Sequence, residues 1–245
     1  MEKKQDPLQM GQHFLKDKET LKLVADSAEL KKNDIVLEAG FGQGNLTRLL
    51  AERCNVIAVE ADTSFTLDLP NVKVKYGNVL EIMPAMKFNK FVSNIPYHIS
   101  EPLLKKLLIK KECTLIVMLV PDSFASLLLG DGKLGTLSKA VFNVEKLADV
   151  PASAFYPGPD TKSAVIRMVR KKEEEKDAIQ KLLCSLLEQH DKKIKNALER
   201  HFEGKLTKRQ VKEKLASAEE TCRKGILAVP NESFPELLKA LGAFG

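Results

Sequence analysis

Short apolar runs alternate with helical patterns over the first two thirds of this chain, and no other feature limits its fold as strongly. Residues 35–39, 56–59, 72–76, 90–93 and 115–120 read as strands, the last a continuous Leu115-Ile116-Val117-Met118-Leu119-Val120. Runs that are apolar at every position suit strands covered on both faces, as in a parallel sheet. Helical stretches, among them 46–53 and 101–110, lie between them. This repetition predicts an α/β fold with a doubly wound, Rossmann-like sheet.

Near residue 150 the pattern changes. Residues 148–150 and 163–169 read as two strands joined by Phe155-Tyr156-Pro157-Gly158-Pro159-Asp160, whose prolines predict a loop. So short a connection leaves no room for a crossover helix, so the sheet should end on an antiparallel pair. The charged run Lys171-Lys172-Glu173-Glu174-Glu175-Lys176 then breaks the composition. Beyond it Leu182, Leu183, Leu186 and Leu187, then Ile194, Ala197 and Leu198, then Phe234, Leu237, Leu238 and Leu241 recur at helical spacing. The expected division is a 1–172 α/β domain and a small all-α domain over 173–245.

Composition excludes several classes. With 44% hydrophobic and 29% charged residues the chain is neither disordered nor collagen-like. Cys54, Cys113, Cys184 and Cys222 lie far apart with no CxxC, so neither a metal site nor a disulfide framework is expected. The opening MEKKQDPLQM has no apolar signal core, and no apolar run reaches the roughly 20 residues of a membrane helix. A soluble cytoplasmic protein without a membrane partner is the expectation. A net charge of +6 allows an anionic partner without choosing between nucleic acid and membrane surface.

The sharpest local signal is Glu38-Ala39-Gly40-Phe41-Gly42-Gln43-Gly44-Asn45-Leu46-Thr47, which leaves a strand and enters a helix. Ligands meet doubly wound sheets at such turns. Gly40, Gly42 and Gly44 are spaced GxGxG, shorter than the GxGxxG that cradles a pyrophosphate. Glu60 ends the next strand, where a carboxylate can accept both hydroxyls of a ribose. A ribose without phosphates suits S-adenosylmethionine (SAM), the cofactor expected here. A tight turn without a ligand would need the glycines but not Glu60.

Asn94-Ile95-Pro96-Tyr97 follows the fourth strand on the same edge of the sheet. Asn94 offers an amide oxygen, the Ile95-Pro96 backbone offers carbonyls, and Tyr97 offers a flat face. Together these suit a planar group carrying an exocyclic amine. By itself the motif also reads as a turn with a packing tyrosine.

With these motifs the chain resembles the rRNA adenine dimethyltransferases of the KsgA type. Gly11-Gln12-His13-Phe14-Leu15 is similar to that family's GQNFL, Glu38 to Thr47 to its E-x-G-x-G-x-G-x-L-T, and Asn94 to Tyr97 to its N-[LI]-P-Y. Val150-Pro151-Ala152-Ser153-Ala154-Phe155 and the residues through Val165 follow its V-P-x-S-A-F-x-P-x-P-x-V-x-S-A-V. The matches keep the family's order over residues 11 to about 170. The resemblance implies a SAM-dependent enzyme acting on adenines near the 3′ end of small-subunit rRNA, with the immature small subunit as partner; a monomer is the simplest expectation on so large a particle. It implies that Gly40 and Glu60 hold SAM, that His13 and Leu15 close over it, and that Asn78 lies beside its adenine. Asn94, between cofactor and substrate, would grip the target N6 amine with the Ile95-Pro96 backbone, while Tyr97 and Phe155 sandwich the base.

Four departures from the pattern bear on target and cofactor. Val120-Pro121-Asp122-Ser123-Phe124-Ala125-Ser126 stands where the family carries Q-x-E-x-A-x-R, and Leu134-Gly135-Thr136-Leu137-Ser138 lacks the tyrosine of Y-G-x-L-S. Asn78 replaces an aspartate, which predicts weaker cofactor binding. Residues 62–71, with Pro70, are too few for the helix that usually follows the ribose acid, which predicts a pocket more open on that side. Lys171-Lys172, Lys192-Lys193-Ile194-Lys195, Lys205 to Arg209 and Arg223-Lys224 are solvated helix faces or phosphate contacts on structured RNA. Rival readings are large-subunit rRNA as target, a catalytically weak RNA-binding assembly factor, and methylation of protein or small-molecule amines.

Overall fold

The computed structural model describes residues 13–244. Gly11 and Gln12 of the opening motif lie outside the described residues. In chain order the elements are β1 (Phe14–Leu15), α1 (Lys18–Ser27), β2 (Ile35–Ala39), α2 (Asn45–Ala51), β3 (Asn55–Glu60), β4 (Val72–Tyr76), α3 (Val79–Ile82), β5 (Lys90–Asn94), α4 (Ser100–Ile109) and β6 (Leu115–Pro121). Then follow α5 (Asp122–Leu129), α6 (Lys133–Val141), β7 (Phe142–Val150), β8 (Phe155–Tyr156), β9 (Ser163–Arg170), α7 (Ala178–Glu188), α8 (Ile194–His201), α9 (Lys208–Lys214) and α10 (Phe234–Gly242).

Seven strands form one sheet in the order β4-β3-β2-β5-β6-β9-β7. β4, β3, β2, β5 and β6 run parallel, and β9 is antiparallel to β6. The order reverses beside β2, whose neighbours are β3 and β5, so the carboxyl ends of β2 and β5 flank the crevice where a doubly wound sheet takes its ligand. Apolar content sets each strand's place. Leu115 to Val120 of β6 are all buried, as a strand between two others and under helices requires, whereas β4 at the edge alternates Val72 and Val74 with Lys73 and Lys75. Lysines on an edge strand also discourage pairing with another chain. Val24, Leu50, Val56, Ala58, Val92 and Val117 belong to a single buried cluster that joins α1 and α2 to the sheet.

Phe155–Tyr156, expected within a loop, is a two-residue strand antiparallel to Phe14–Leu15, with Leu15 opposite Phe155. A two-stranded ladder needs only alternating bonds, so the prolines that follow do not prevent it. Residues 61–71 contain no helix, as their length and Pro70 predict.

The chain divides into two compact units. The described residues through Ser126 with Val144–Val169 form the first; Leu127–Asn143 with Arg170 onward form the second. The 1–172 and 173–245 division differs from this grouping at 127–143 and at 170–172. Within the second unit the buried Lys133 Nζ donates to Leu227 O at 2.8 Å and to Val229 O, and a Cβ on Gly135 would stand 2.1 Å from Gly130 O. The unit is helical, with Leu182, Leu183, Leu186, Leu187, Ile194, Ala197, Leu198, Phe234, Leu237 and Leu241 buried as their spacing predicts and Leu238 half-buried. Asp177 caps α7 by accepting from Gln180 N, and Thr207 with Gln210 forms a capping box on α9. Among the described residues no helix is long and apolar enough to cross a membrane.

Candidate active site

The glycine loop turns between β2 and α2 by positive φ at Gly40 (76°), Gly42 (49°) and Gly44 (76°). At Gly42 a side chain has no room either, since a Cβ would meet the Phe14 ring at 2.8 Å. Such backbone, free of Cβ atoms, permits close approach at the strand end. Glu60 closes it from β3: one carboxylate oxygen accepts from Gly42 N at 2.9 Å, the other from Ala61 N at 2.8 Å and Asp62 N at 3.1 Å. These bonds orient the carboxylate and still leave lone pairs for a ribose.

Glu38, the first acid of the motif, is buried at the end of β2, and among the described residues its Oε2 has no hydrogen-bond partner. Burial pushes its carboxyl up to about 8; the nearby Glu60 charge adds to that, and Thr47 offsets part of it. An orphaned acid beneath a glycine cradle fits a cofactor that carries both a ribose and a cationic amino-acid tail. The residues present therefore fit SAM.

Residues 61–71 do not leave the cradle open, as their shortness suggested. A Cβ on Gly44 would stand 2.7 Å from Leu67 Cδ1, and Phe65 meets Phe14 edge-on at 5.6 Å. Without a helix the segment is free to fold its apolar side chains back over the loop. Asn78 caps α3, accepting from Leu80 N with Oδ1 and donating to Glu81 Oε1, both at 3.0 Å.

Across the crevice, β5 delivers Asn94. Its Nδ2 donates to His13 O at 3.0 Å, which turns Oδ1 the other way as an acceptor. Pro96 O accepts from Ile99 N at 3.1 Å, closing the turn that projects Tyr97. The Tyr97 hydroxyl is hydrogen-bonded to the buried Ser163 Oγ at 2.6 Å. Burial raises the phenol's pKa, partly offset by Ser163. His13 Nδ1–H donates to Pro157 O at 3.0 Å, and its ring lies 5.7 Å from that of Tyr97. β1 thus joins the glycine loop and the Asn94 turn, because Leu15 O also accepts from Asn45 Nδ2 at 3.1 Å.

The structure brings His13, Asn94, Ile95, Pro96 and Tyr97 together, and Gly40, Gly42, Gly44 and Glu60 together. Leu15 is packed into the core. Tyr97 and Phe155, expected on either side of the base, differ in their surroundings. Phe155 is 2% exposed and packed in the core, while Tyr156 is 70% exposed. Pairing of β8 with β1 sends alternate side chains to opposite sides, so one aromatic must face inward. The ring set against Tyr97 is that of His13. Glu38 and Ser163 lie within sequence motifs, but burial and pairing, which give them their roles, are tertiary facts.

Strand order, glycine spacing and the placement of Glu60 define the class: a Rossmann-like SAM-dependent methyltransferase. Comparison with known proteins narrows it. A family model described as "Ribosomal RNA adenine dimethylase" matches residues 4–224, and the chain belongs to that family. A "Probable ribosomal RNA small subunit methyltransferase A" of Methanopyrus kandleri is 34% identical over 208 residues, covering 77% of this chain and 74% of the relative. One of Methanococcus maripaludis is 34% identical over 208 residues, covering 77% and 78%. Among solved structures, the 23S rRNA methyltransferase ErmE is similar at 28% identity with a TM-score of 0.63, covering 94% of this chain and 99% of that one. A dimethyladenosine transferase from Plasmodium falciparum shares the fold at 23% identity with a TM-score of 0.62, covering 92% and 96%.

Proposed function

We propose that this protein dimethylates N6 of adenosines near the 3′ end of small-subunit rRNA, acting as a monomer on the immature subunit in the cytoplasm. Bound SAM supplies the sulfonium methyl. Glu60 takes the ribose hydroxyls, the backbone of Gly40 to Gly44 lies against the rest of the cofactor, His13 and Leu15 flank it, and Asn78 meets its adenine with less charge than an aspartate would. Asn94 Oδ1 accepts an N6–H of the target, which turns the nitrogen lone pair toward the donor methyl. Tyr97 stacks on the extruded base, and stacking of this kind offsets the cost of unpairing by about 1–3 kcal/mol. Phe155 can join that stack only if its ring leaves the core. No general base is required, since the amine's proton leaves to water after attack; the protein contributes orientation and dryness.

The observation that carries this reading is the pinned Asn94 amide, which donates one N–H to His13 O and keeps its oxygen as an acceptor. Likeness to ErmE supports a second reading, large-subunit rRNA as target, and the altered 120–138 segment bears on that choice. Incubating the protein and labelled SAM with small subunits, large subunits and naked rRNA, then identifying the modified nucleosides, separates them. Dimethyladenosine from immature small subunits is expected. Label confined to large-subunit RNA would select the second reading, and cofactor binding without transfer would mark an assembly factor.

A further inference from the structure

In a parallel ladder, alternate residues of a strand both donate to and accept from the same neighbour. β5 and β6 pair with Asn94 opposite Leu119, and Ile95 N–H donates to Leu119 O at 3.2 Å. The next donor due on that ladder is the N–H two residues past Leu119, and its acceptor is Ile95 O. That position is Pro121, the last residue of β6, which has no N–H to give. Among the described residues Ile95 O accordingly accepts no hydrogen bond, although the residue is 1% exposed.

The proline is out of place as a structural choice. β6 is flanked by β5 and β9, and interior strands exclude proline because it removes a ladder bond. Its other neighbour is undisturbed: Pro121 keeps its register with Ser163, and Asp122 N–H donates to Lys162 O at 3.0 Å. The loss therefore falls on one acceptor, and that acceptor adjoins Asn94. Pro96 O, the other carbonyl of the turn, is already taken by Ile99 N.

We propose that Pro121 is a positioning residue: by withholding the ladder's N–H it keeps the Ile95 carbonyl open for the amine that Asn94 Oδ1 also holds. This rests on the adenine-amine reading of the site. It gives the unusual Val120-Pro121-Asp122 spelling a purpose, since any other residue at 121 would bring a competing donor.

Two variants separate the missing donor from the ring. Pro121→Ala restores the N–H; L-lactate at position 121, a backbone ester, removes both ring and N–H. In the Ala variant the amide of residue 121 should be protected from hydrogen exchange, and kcat/KM for RNA should fall about three- to tenfold, with SAM affinity unchanged. The ester variant should keep the wild-type value. Equal impairment of both, or an unprotected amide in the Ala variant, would overturn the proposal. If Pro121→Ala does not fold, the ester variant decides: wild-type kinetics support the role and impaired kinetics refute it. Failure of the wild-type protein to methylate any RNA would remove the adenine reading itself, whereas amide protection reports on the ladder regardless.

Discussion

At the amino ends of β2 and β5, Asp34 and Lys90 form a buried ion pair at 2.8 Å, and at the carboxyl ends of the same strands Glu38 and Ile95 carry oxygens with no partner among the described residues. The first group is closed. Lys90 Nζ also donates to Ala28 O at 2.9 Å and Glu29 O at 2.6 Å, and Asp34 also accepts from Asn89 Nδ2 at 2.6 Å and Lys31 N at 2.7 Å. Burial works to raise the Asp34 pKa, but the Lys90 ammonium, Asn89 and Lys31 N–H overcome it and hold the carboxyl below its usual range. The second group is open, and each unsatisfied buried polar atom costs about 1–3 kcal/mol. One end fastens the sheet; the other keeps hydrogen-bonding capacity for ligands.

That contrast can be broken in order of size. Lys90→Met strands the Asp34 charge and should cost about 3–5 kcal/mol in chemical denaturation while leaving SAM affinity unchanged. A loss below about 1 kcal/mol, the scale of an exposed pair, would mean that the closed end is no fastener. Tyr97→Ala, at the open end, should cut turnover on RNA by about 1–3 kcal/mol of lost stacking and leave the SAM dissociation constant nearly intact; equal losses in both would contradict its place against the substrate. Glu60→Ala should weaken SAM binding in calorimetry by about 1.5–3 kcal/mol, the range for one charge-assisted bond, with less loss of stability than Lys90→Met.

A further effect concerns pH. Because the folded Glu38 carboxyl is raised to about 8 from 4.5, the native state holds a proton that the unfolded chain releases. That contribution to stability is complete below about pH 4.5 and drains away as pH rises toward 8. Glu38→Gln removes the titration, so its thermal midpoint should gain on the wild type between pH 5 and 8.5. Parallel midpoints across that range would show Glu38 to be ionised and satisfied.

Much of this arrangement was legible in the residues. Continuous apolar runs gave the parallel strands, because a doubly covered strand tolerates no polar face, and the glycine spacing with Glu60 gave the cradle. The Leu127–Asn143 segment was not legible as part of the helical unit, since its allegiance rests on Lys133 reaching carbonyls almost a hundred positions away. The two-residue pairing of β1 with β8 has no periodicity to detect, and it buries Phe155 and puts His13 beside Tyr97. The free Ile95 carbonyl depends on strand register, which Pro121 reveals only once Leu119 is known to face Asn94.

A crystal structure with S-adenosylhomocysteine tests the open end most directly. Ribose hydroxyls should lie on the Glu60 carboxylate, with the ligand running along Gly40 to Gly44 above Glu38 and toward Asn94. A ligand bound elsewhere, with Phe14 and Leu67 still filling the space over Gly42 and Gly44, would contradict this placement.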